Sequence, residues 1–186
     1  EDLVGLPIFE IPTMPPAVPG LRLRELLEQA MPARGLTLVS QHKATHAALR
    51  PDGIDLAYRD NFGEVVVEAK TAILATGRFL SGGLAAERTG IRETLFDLPV
   101  EQPATRADWH RDDWFDPRGH PINRAGIVVD DDFRPLDAAG TPVHPGLFAA
   151  GAILAGQDWV RQRCGAGLAI ATARRAVDGV ARMLGR

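Results

Sequence analysis

Glycines stand where a predicted buried strand leads into a predicted helix near the end of the chain. The apolar run LFAAG ends in Gly151, and the later helix opens with Gly165-Ala166-Gly167. The first N–H groups of a helix lack intrahelical acceptors, and the helix dipole favours negative charge there. The pattern predicts either a site for a phosphate or an anionic ring edge, or close packing of helix on sheet without a ligand. The pair Gly165 and Gly167 does not form a dinucleotide fingerprint, because that motif needs a third glycine three residues after the second, where this chain has Ile170.

A second glycine ends another apolar run. The run AILAT ends in Ala75-Thr76 and is followed by Gly77. Nucleotide cofactors bind at the carboxyl ends of strands in doubly wound sheets. A glycine after a strand also forms ordinary turns, so this segment is a second candidate for a cofactor contact and has the same structural alternative.

Two arginines stand four residues apart in the run SGGLAAERTGIRE. Arg88 and Arg92 share one face if residues 82–92 are partly helical. Two converging guanidinium groups suit a phosphate or a carboxylate. Glu87 and Glu93 offer the alternative, in which the arginines form solvated ion pairs.

Histidines supply the candidates for acid–base chemistry. Because imidazole titrates near neutral pH, His110, His120 and His144 are candidate general bases by side-chain type. The five histidines show no metal-ligand spacing, and a single cysteine cannot build a structural zinc site. We therefore expect no metal.

Hydrophobic periodicity predicts the elements that must position these residues. Proline-rich sequence predicts an extended chain, helical spacing of apolar residues predicts two helices, and shorter runs predict strands. The predicted elements are a connector at 7–19, a helix at about 20–32, a buried strand LTLVS at 36–40, a three-stranded antiparallel meander, a buried strand ending at 75–77, a short strand at 126–130, the LFAAG strand at 147–151 and a helix at about 166–184.

Composition excludes several classes of protein. The chain has 186 residues and a formal net charge of −3, without a run of Lys or Arg, so nucleic acid is not an expected partner. The longest apolar stretch is far shorter than the ~20 residues that span a bilayer. One cysteine excludes an internal disulfide, and we expect a cytoplasmic location.

Three segments together resemble a known family. TAILATGRFLSGGL, PVHPGLFAAGAILAG and RCGAGLAIATARRAV are similar to the late flavin-binding segments of two-domain FAD flavoproteins of the fumarate reductase and glycerol-3-phosphate dehydrogenase type. More narrowly, PTMPPAVPGLRLRELL, ATGRFLSGGLAAERTGIRE and LFAAGAILAG resemble the B subunits of anaerobic glycerol-3-phosphate dehydrogenases.

The resemblance implies an α/β fold. It is a partial FAD/NAD(P)-binding, Rossmann-like three-layer fold with a central parallel sheet, an antiparallel meander and a C-terminal helix. The N-terminal G-x-G-x-x-G unit is missing from these residues. The whole chain, 1–186, is then expected to be the C-terminal part of a flavin-binding oxidoreductase domain, with an irregular, cap-like excursion at 78–126. Alone, it is expected to be inactive and to retain flavin poorly.

The resemblance also implies a flavin cofactor, FAD or FMN. The helix N-terminus would stabilise the negative charge of reduced flavin at its N1/C2=O edge. Relatives often place an acidic residue at the position of Ala152, where it would hold a ribityl hydroxyl. The cofactor-binding residues implied in this way are Ala75, Thr76, Gly77, Gly151, Ala152, Gly165, Ala166, Gly167 and Leu168.

The implied activity is oxidation of sn-glycerol 3-phosphate to dihydroxyacetone phosphate, with electrons passed toward a quinone. Arg88, Arg92 and Arg106 would contact the phosphate, and His110 would be the base. The expected partners are other subunits of a membrane-associated complex at the inner face of the membrane. This chain itself is expected to have no membrane span. The alternatives are a non-catalytic, flavin-binding relay or scaffold subunit and a flavoprotein that acts on a dicarboxylate.

Overall fold

A computed structural model describes Gly5, Pro7 and residues 16–186 of the chain. Most of the predicted connector at 7–19 lies outside the described residues. The chain divides into two compact units, Glu1–His42 and Lys43–Arg186. The helices are α1 (Val18–Ala33), α2 (Trp159–Gln162) and α3 (Gly165–Met183), and the strands are β1 (Ala44–Arg50), β2 (Gly53–Asp60), β3 (Gly63–Ala69), β4 (Ala72–Leu74), β5 (Leu84–Ala86), β6 (Ile91–Glu93) and β7 (Leu147–Ala149).

The first unit is built around α1, which confirms the helix predicted at about 20–32. Pro19 stands in its first turn, where the missing N–H removes no helical hydrogen bond. The strand predicted at 36–40 is wrong: within the described part of this unit that segment has no strand, and Leu36, Leu38 and Val39 are exposed. No neighbouring strand in the described part of this unit supplies the hydrogen bonds that an extended segment needs.

The predicted meander is confirmed as a sheet in the order β1-β2-β3, antiparallel throughout. Its second turn is held by Asp60, whose carboxylate accepts the N–H groups of Phe62 and Gly63 at 2.7 and 3.0 Å. Ile54 of β2 is fully buried, so the meander contributes directly to the hydrophobic core.

β4 and β7 form a two-stranded parallel sheet in which Ala72 pairs with Leu147 and Leu74 with Ala149. All three residues of β7 are buried. Such fully apolar strands are typical of parallel sheets that are covered on both faces. This pair, with the antiparallel meander and the C-terminal helix, gives the mixed α/β fold that the resemblance implied.

The helical conformation that would place Arg88 and Arg92 on one face is not found in residues 82–92, because β5 and β6 form an antiparallel hairpin there. Gly82 has φ +79°, a left-handed conformation that ends regular structure. The Thr94 hydroxyl donates to the Gly82 carbonyl oxygen at 2.7 Å and ties the two ends of the hairpin together. Residues 126–130, predicted to be a strand, form only isolated bridges, such as that between Ile127 and Leu154.

α3 confirms the predicted C-terminal helix within one residue at each end. It packs on β7 through Gly179, where an added Cβ would lie 2.8 Å from a ring carbon of Phe148. The main core lies between the two sheets, the hairpin and the loops. It includes the buried residues Ile54, Leu74, Leu84, Ile91, Leu98, Trp109, Ile127, Leu147 and Ile153.

Candidate functional site

The parallel pairing of β4 and β7 places their carboxyl ends side by side. The backbone N–H of Ala150 donates to the carbonyl oxygen of Leu74 at 3.0 Å, one residue beyond the paired strands. The two segments that the sequence singled out, 75–77 and 150–152, therefore leave the same edge of the sheet. Strand ends of this kind are where ligands bind in α/β folds.

The first of these segments is a tight turn. Gly77 has φ +69°, and Gly83 packs so closely that an added Cβ would lie 2.3 Å from the Gly77 carbonyl oxygen. The Thr76 hydroxyl is buried and has no hydrogen-bond partner within the described residues. A buried hydroxyl without a partner is rare in a folded protein, so it marks this turn as a candidate ligand contact.

The second segment is tied to α3. Gly151 has φ +80°, and nothing in the described structure lies within 4 Å of where its Cβ would stand. Its N–H donates to the Thr172 hydroxyl at 2.8 Å, and this hydroxyl donates to the Leu168 carbonyl oxygen at 2.7 Å. The exit of β7 is thus fixed against the second turn of α3.

The N-terminus of α3 presents free backbone donors. Cys164 at the N-cap makes no side-chain capping bond, and the N–H of Leu168 is the first to reach a helical acceptor, the Cys164 carbonyl oxygen at 2.8 Å. Ala166 and Gly167 are exposed, and an added Cβ on Gly167 would meet open space. The N–H groups of residues 165–167 can therefore receive an anion.

A largely apolar cavity of about 350 Å³ lies beside this helix. Its walls include Leu154 and Gly156 from the segment after β7, and Leu168 and Thr172 from α3. It offers apolar surface next to the backbone donors of the helix.

Arg78, which directly follows the Gly77 turn, also belongs to this region. Its side chain is buried and donates to the carbonyl oxygens of Ile122 at 2.8 Å and Ala152 at 3.5 Å. Burial lowers the pKa of Arg78, and the charge of Asp158 opposes that shift. Arg78 remains a cation that joins the loop around residue 122 to the segment after β7.

Asp158 was not anticipated from the sequence. It is 2% exposed, and one carboxylate oxygen accepts the N–H of Arg161 at 3.1 Å as the N-cap of α2. Its other oxygen has no hydrogen-bond partner in the described structure and lies where a Cβ on Gly119 would be 2.5 Å away. The signal in the sequence is the residue type, because Asp is a preferred N-cap residue whose carboxylate accepts the amide three residues later, here that of Arg161.

The arginines predicted to bind an anion are placed near Glu87. Arg92 forms an ion pair with its carboxylate at 3.0 Å, and Arg106 donates to its carbonyl oxygen at 3.2 Å while lying over the Trp109 ring. Arg88 is exposed at the hairpin turn and has no ion pair within the described residues.

Glu93, the other suggested partner, is fully buried and binds backbone instead. Its carboxylate accepts the N–H groups of Leu95 and Phe96 at 2.8 and 2.7 Å, and that of Leu98 at 3.3 Å. The ion-pair alternative therefore applies to Glu87, whereas Glu93 organises the turn after β6.

The histidines differ in environment. His110 is exposed, and its ring lies edge-on to that of His120 with centroids 5.3 Å apart. His144 is buried and bridges the Gly146 N–H, which donates to Nδ1 at 3.0 Å, and the Arg50 carbonyl oxygen, 2.7 Å from Nε2. These two contacts give His144 a structural role in the turn before β7.

The model of the FAD binding domain family matches residues 1–168 of this chain. The chain therefore belongs to the FAD binding domain family, and its cofactor is FAD, one of the two flavins that the motifs implied.

Curated relatives carry a narrower name. The chain is 33% identical over 172 residues to the probable B subunit of anaerobic glycerol-3-phosphate dehydrogenase from Halobacterium salinarum, a match that covers 92% of this chain and 40% of that protein. It is 31% identical over 197 residues to the B subunit of anaerobic glycerol-3-phosphate dehydrogenase from Aliivibrio fischeri, covering 99% of this chain and 42% of the relative. The relative of the same name from Pectobacterium atrosepticum is 33% identical over 179 residues, with 96% and 41% covered.

These matches confirm the resemblance found in the motifs, and the chain spans about two fifths of the length of the curated relatives it matches. None of the helices that the structure describes is long and apolar enough to cross a membrane.

The residues at the carboxyl edge of β4 and β7 fit FAD. Thr76 offers an unpaired buried hydroxyl, and Gly151 and Gly167 leave open space where side chains would otherwise stand. The uncapped end of α3 supplies donors for a phosphate or for the electron-rich edge of a flavin.

Proposed function

We propose that this chain is the FAD-binding part of a subunit that oxidises sn-glycerol 3-phosphate to dihydroxyacetone phosphate and passes the electrons toward a quinone. The observation that carries the proposal is that the Gly77 and Gly151 turns leave the same edge of the β4–β7 sheet, and that Gly151 is hydrogen-bonded to Thr172 of α3. The names of the relatives supply the substrate class.

FAD, when bound, supplies an acceptor for the hydride equivalent that leaves C2 of the substrate. The residues of this chain then have separate tasks. Thr76 and the glycine turns would hold the cofactor, and the N–H groups of Gly165, Ala166 and Gly167 would favour negative charge on it.

The hydroxyl proton at C2 needs a base. His110 is the candidate that we retain, because its imidazole is exposed and lines a cavity of about 520 Å³ whose wall also includes Arg111, Arg118 and four aspartates. A base beside cationic groups can act on an anionic substrate that those groups hold.

The partners are proposed to be other subunits of a membrane-associated complex, since the relatives are named as the B subunit of a dehydrogenase. Electrons would leave the bound flavin through these subunits.

The test uses the complete protein loaded with FAD, mixed anaerobically with sn-glycerol 3-phosphate while the flavin absorbance is followed. We expect the flavin band to bleach with the phosphorylated substrate and to persist with glycerol. Bleaching by the protein alone, together with turnover with an artificial acceptor, distinguishes a dehydrogenase from a relay subunit. A flavin band unchanged by the substrate would contradict the proposal.

A further inference from the structure

A strongly cationic cavity of about 300 Å³ lies apart from the arginines around Glu87. We refer to it as the arginine cavity. It is lined by Arg111, Arg118, Gly119, His120, Pro121 and Arg124. These lining residues include no carboxylate, which distinguishes the cavity from its larger neighbour, where four aspartates share the wall.

One carboxylate behind the cavity serves two of its arginines. Arg118 binds Asp116 in a bidentate pair, with nitrogen to oxygen distances of 2.6 and 2.9 Å, and Arg111 approaches the same carboxylate at 3.9 Å. Asp116 is 9% exposed at its side chain. Two cations that share one anion leave a positive surplus on the cavity side.

Arg124 adds a charge that nothing in the described structure balances. Its guanidinium has no ion pair or hydrogen bond with any residue in the described part of the chain. The backbone at the same residue is firmly placed, because its carbonyl oxygen accepts the N–H of Gly156 at 2.9 Å. Its guanidinium can therefore donate two parallel hydrogen bonds to a carboxylate or a phosphate.

His120 fixes the loop that carries Arg111. The Arg111 N–H donates to Nδ1 of His120 at 3.1 Å, so Nε2 carries the proton and donates to the Trp114 carbonyl oxygen at 3.1 Å. Arg111 is held further by its Nε, which donates to the Gly119 carbonyl oxygen at 3.0 Å. The cavity wall is therefore organised without a ligand.

The cavity is joined to the cofactor edge by direct contacts. Gly156, which binds the Arg124 carbonyl, lies on the segment that follows Gly151. Arg78 links Ile122, between cavity residues 121 and 124, to the carbonyl oxygen of Ala152. An anion in the cavity would sit next to the segment that positions the flavin.

We propose that the arginine cavity binds a small dianion, the phosphate group of a phosphate monoester substrate, with Arg124 and Arg111 as its principal donors. The identity of that anion as part of the substrate rests on the function proposed above. Arg92 is paired with Glu87 and Arg88 stands at the hairpin turn, whereas Arg111, Arg118 and Arg124 line one cavity.

The test measures inorganic phosphate binding to the complete, FAD-loaded protein by titration calorimetry, and KM and kcat for sn-glycerol 3-phosphate. Arg124→Gln is the cleanest variant, because its side chain supports no other described residue. Arg111→Gln is the second variant. Arg174→Gln is the matched control, since it removes one charge from an exposed ion pair with Asp178 on α3. Arg88→Gln tests the alternative anion contact.

We expect Arg124→Gln and Arg111→Gln each to weaken phosphate binding and to raise KM about tenfold, with kcat changed much less and FAD content unchanged. Arg174→Gln should match the parent. Phosphate binding that depends on Arg124 in a protein inactive with glycerol 3-phosphate would support the cavity and overturn only the proposed substrate. No measurable phosphate binding, or binding that Arg124→Gln leaves unchanged, would overturn the cavity itself, as would a KM that rises only in Arg88→Gln.

Discussion

The backbone N–H of Gly151 donates to the side-chain hydroxyl of Thr172 at 2.8 Å, and this single bond joins the exit of β7 to the helix that follows. The hydroxyl in turn donates to the Leu168 carbonyl oxygen, so it is satisfied both as acceptor and as donor. Thr172 is 8% exposed in a helix otherwise rich in alanine. It is the residue that holds the turn at Gly151 against the second turn of α3.

Thr172→Val should uncouple these two parts while keeping the side-chain shape. The N–H of Gly151 loses its acceptor, which costs about 1–2 kcal/mol of unfolding free energy. FAD should also be released faster, because the glycine turn is no longer held. Urea unfolding and flavin retention after desalting check this, with the exposed Thr89→Val as control. Equal flavin retention in both variants would remove Thr172 from the site.

Gly167→Ala separates stability from cofactor binding. Alanine favours a helix by up to about 1 kcal/mol over glycine, and its Cβ meets nothing within the described structure. Thermal stability should therefore hold or rise. If FAD occupies the open space at this residue, its affinity should fall about tenfold in a fluorescence titration.

The control for Gly167→Ala is Gly20→Ala, which makes the same exchange in α1 at a position equally open in its own unit. It should leave the FAD affinity unchanged. An unchanged affinity in Gly167→Ala as well would place the flavin away from the N-terminus of α3.

Gly83→Ala should be damaging because the new Cβ would lie 2.3 Å from the Gly77 carbonyl oxygen and 2.6 Å from the Thr76 hydroxyl. The backbone must move, and we expect a loss of about 2 kcal/mol or more in unfolding free energy. Chemical denaturation measures the loss. Gly20→Ala, at an open position whose φ is likewise not left-handed, adds the same methyl group without a clash and should cost less.

The acid dependence of stability should include Asp116. The side chain and backbone N–H of Arg118 hold the pKa of Asp116 well below its ordinary value. A carboxyl group whose folded pKa is depressed adds stability above its unfolded pKa of about 3.9, and loses it as the pH falls toward the folded value. Asp116→Asn should therefore lower the melting temperature equally at pH 8 and pH 6, and the gap should narrow only below about pH 4.

Asp112→Asn is the matched control for Asp116, since Asp112 lies in the same segment, exposed and without an ion pair in the described structure. Its melting temperature should follow that of the parent at every pH. A difference in melting temperature between the parent and Asp116→Asn that changes between pH 8 and pH 6 would show that another titrating group causes it.

Local pattern was sufficient for several elements. α3 was predicted within one residue, because alanine and leucine at helical spacing coincide with the face that packs on β7. The meander followed from alternation and turn residues. The strand at 36–40 failed because extended structure needs a partner, and periodicity carries no information about whether a partner strand is present.

The residues of the candidate site also divide into those that the sequence suggested and those that it missed. The site roles named from the sequence all stay predictions: cofactor binding for residues 75–77, 151–152 and 165–168, and the catalytic roles of Arg88, Arg92, Arg106 and His110. Arg88 and Arg92 do not share a helical face, because β5 and β6 form an antiparallel hairpin with Arg88 in its turn and Arg92 in β6. Thr172 and Asp158 were missed, since each acts on a residue that only folding brings near.

The sequence by itself determined the family and the glycines at the two strand ends and the helix start, because small residues and their spacing are local properties. Only the tertiary structure decided that the turns at Gly77 and Gly151 leave one sheet edge, since that depends on the parallel pairing of β4 with β7, two strands far apart in the chain. It also decided which arginines are engaged by carboxylates and which remain free within the described residues, because charge compensation depends on distance in space and not along the chain.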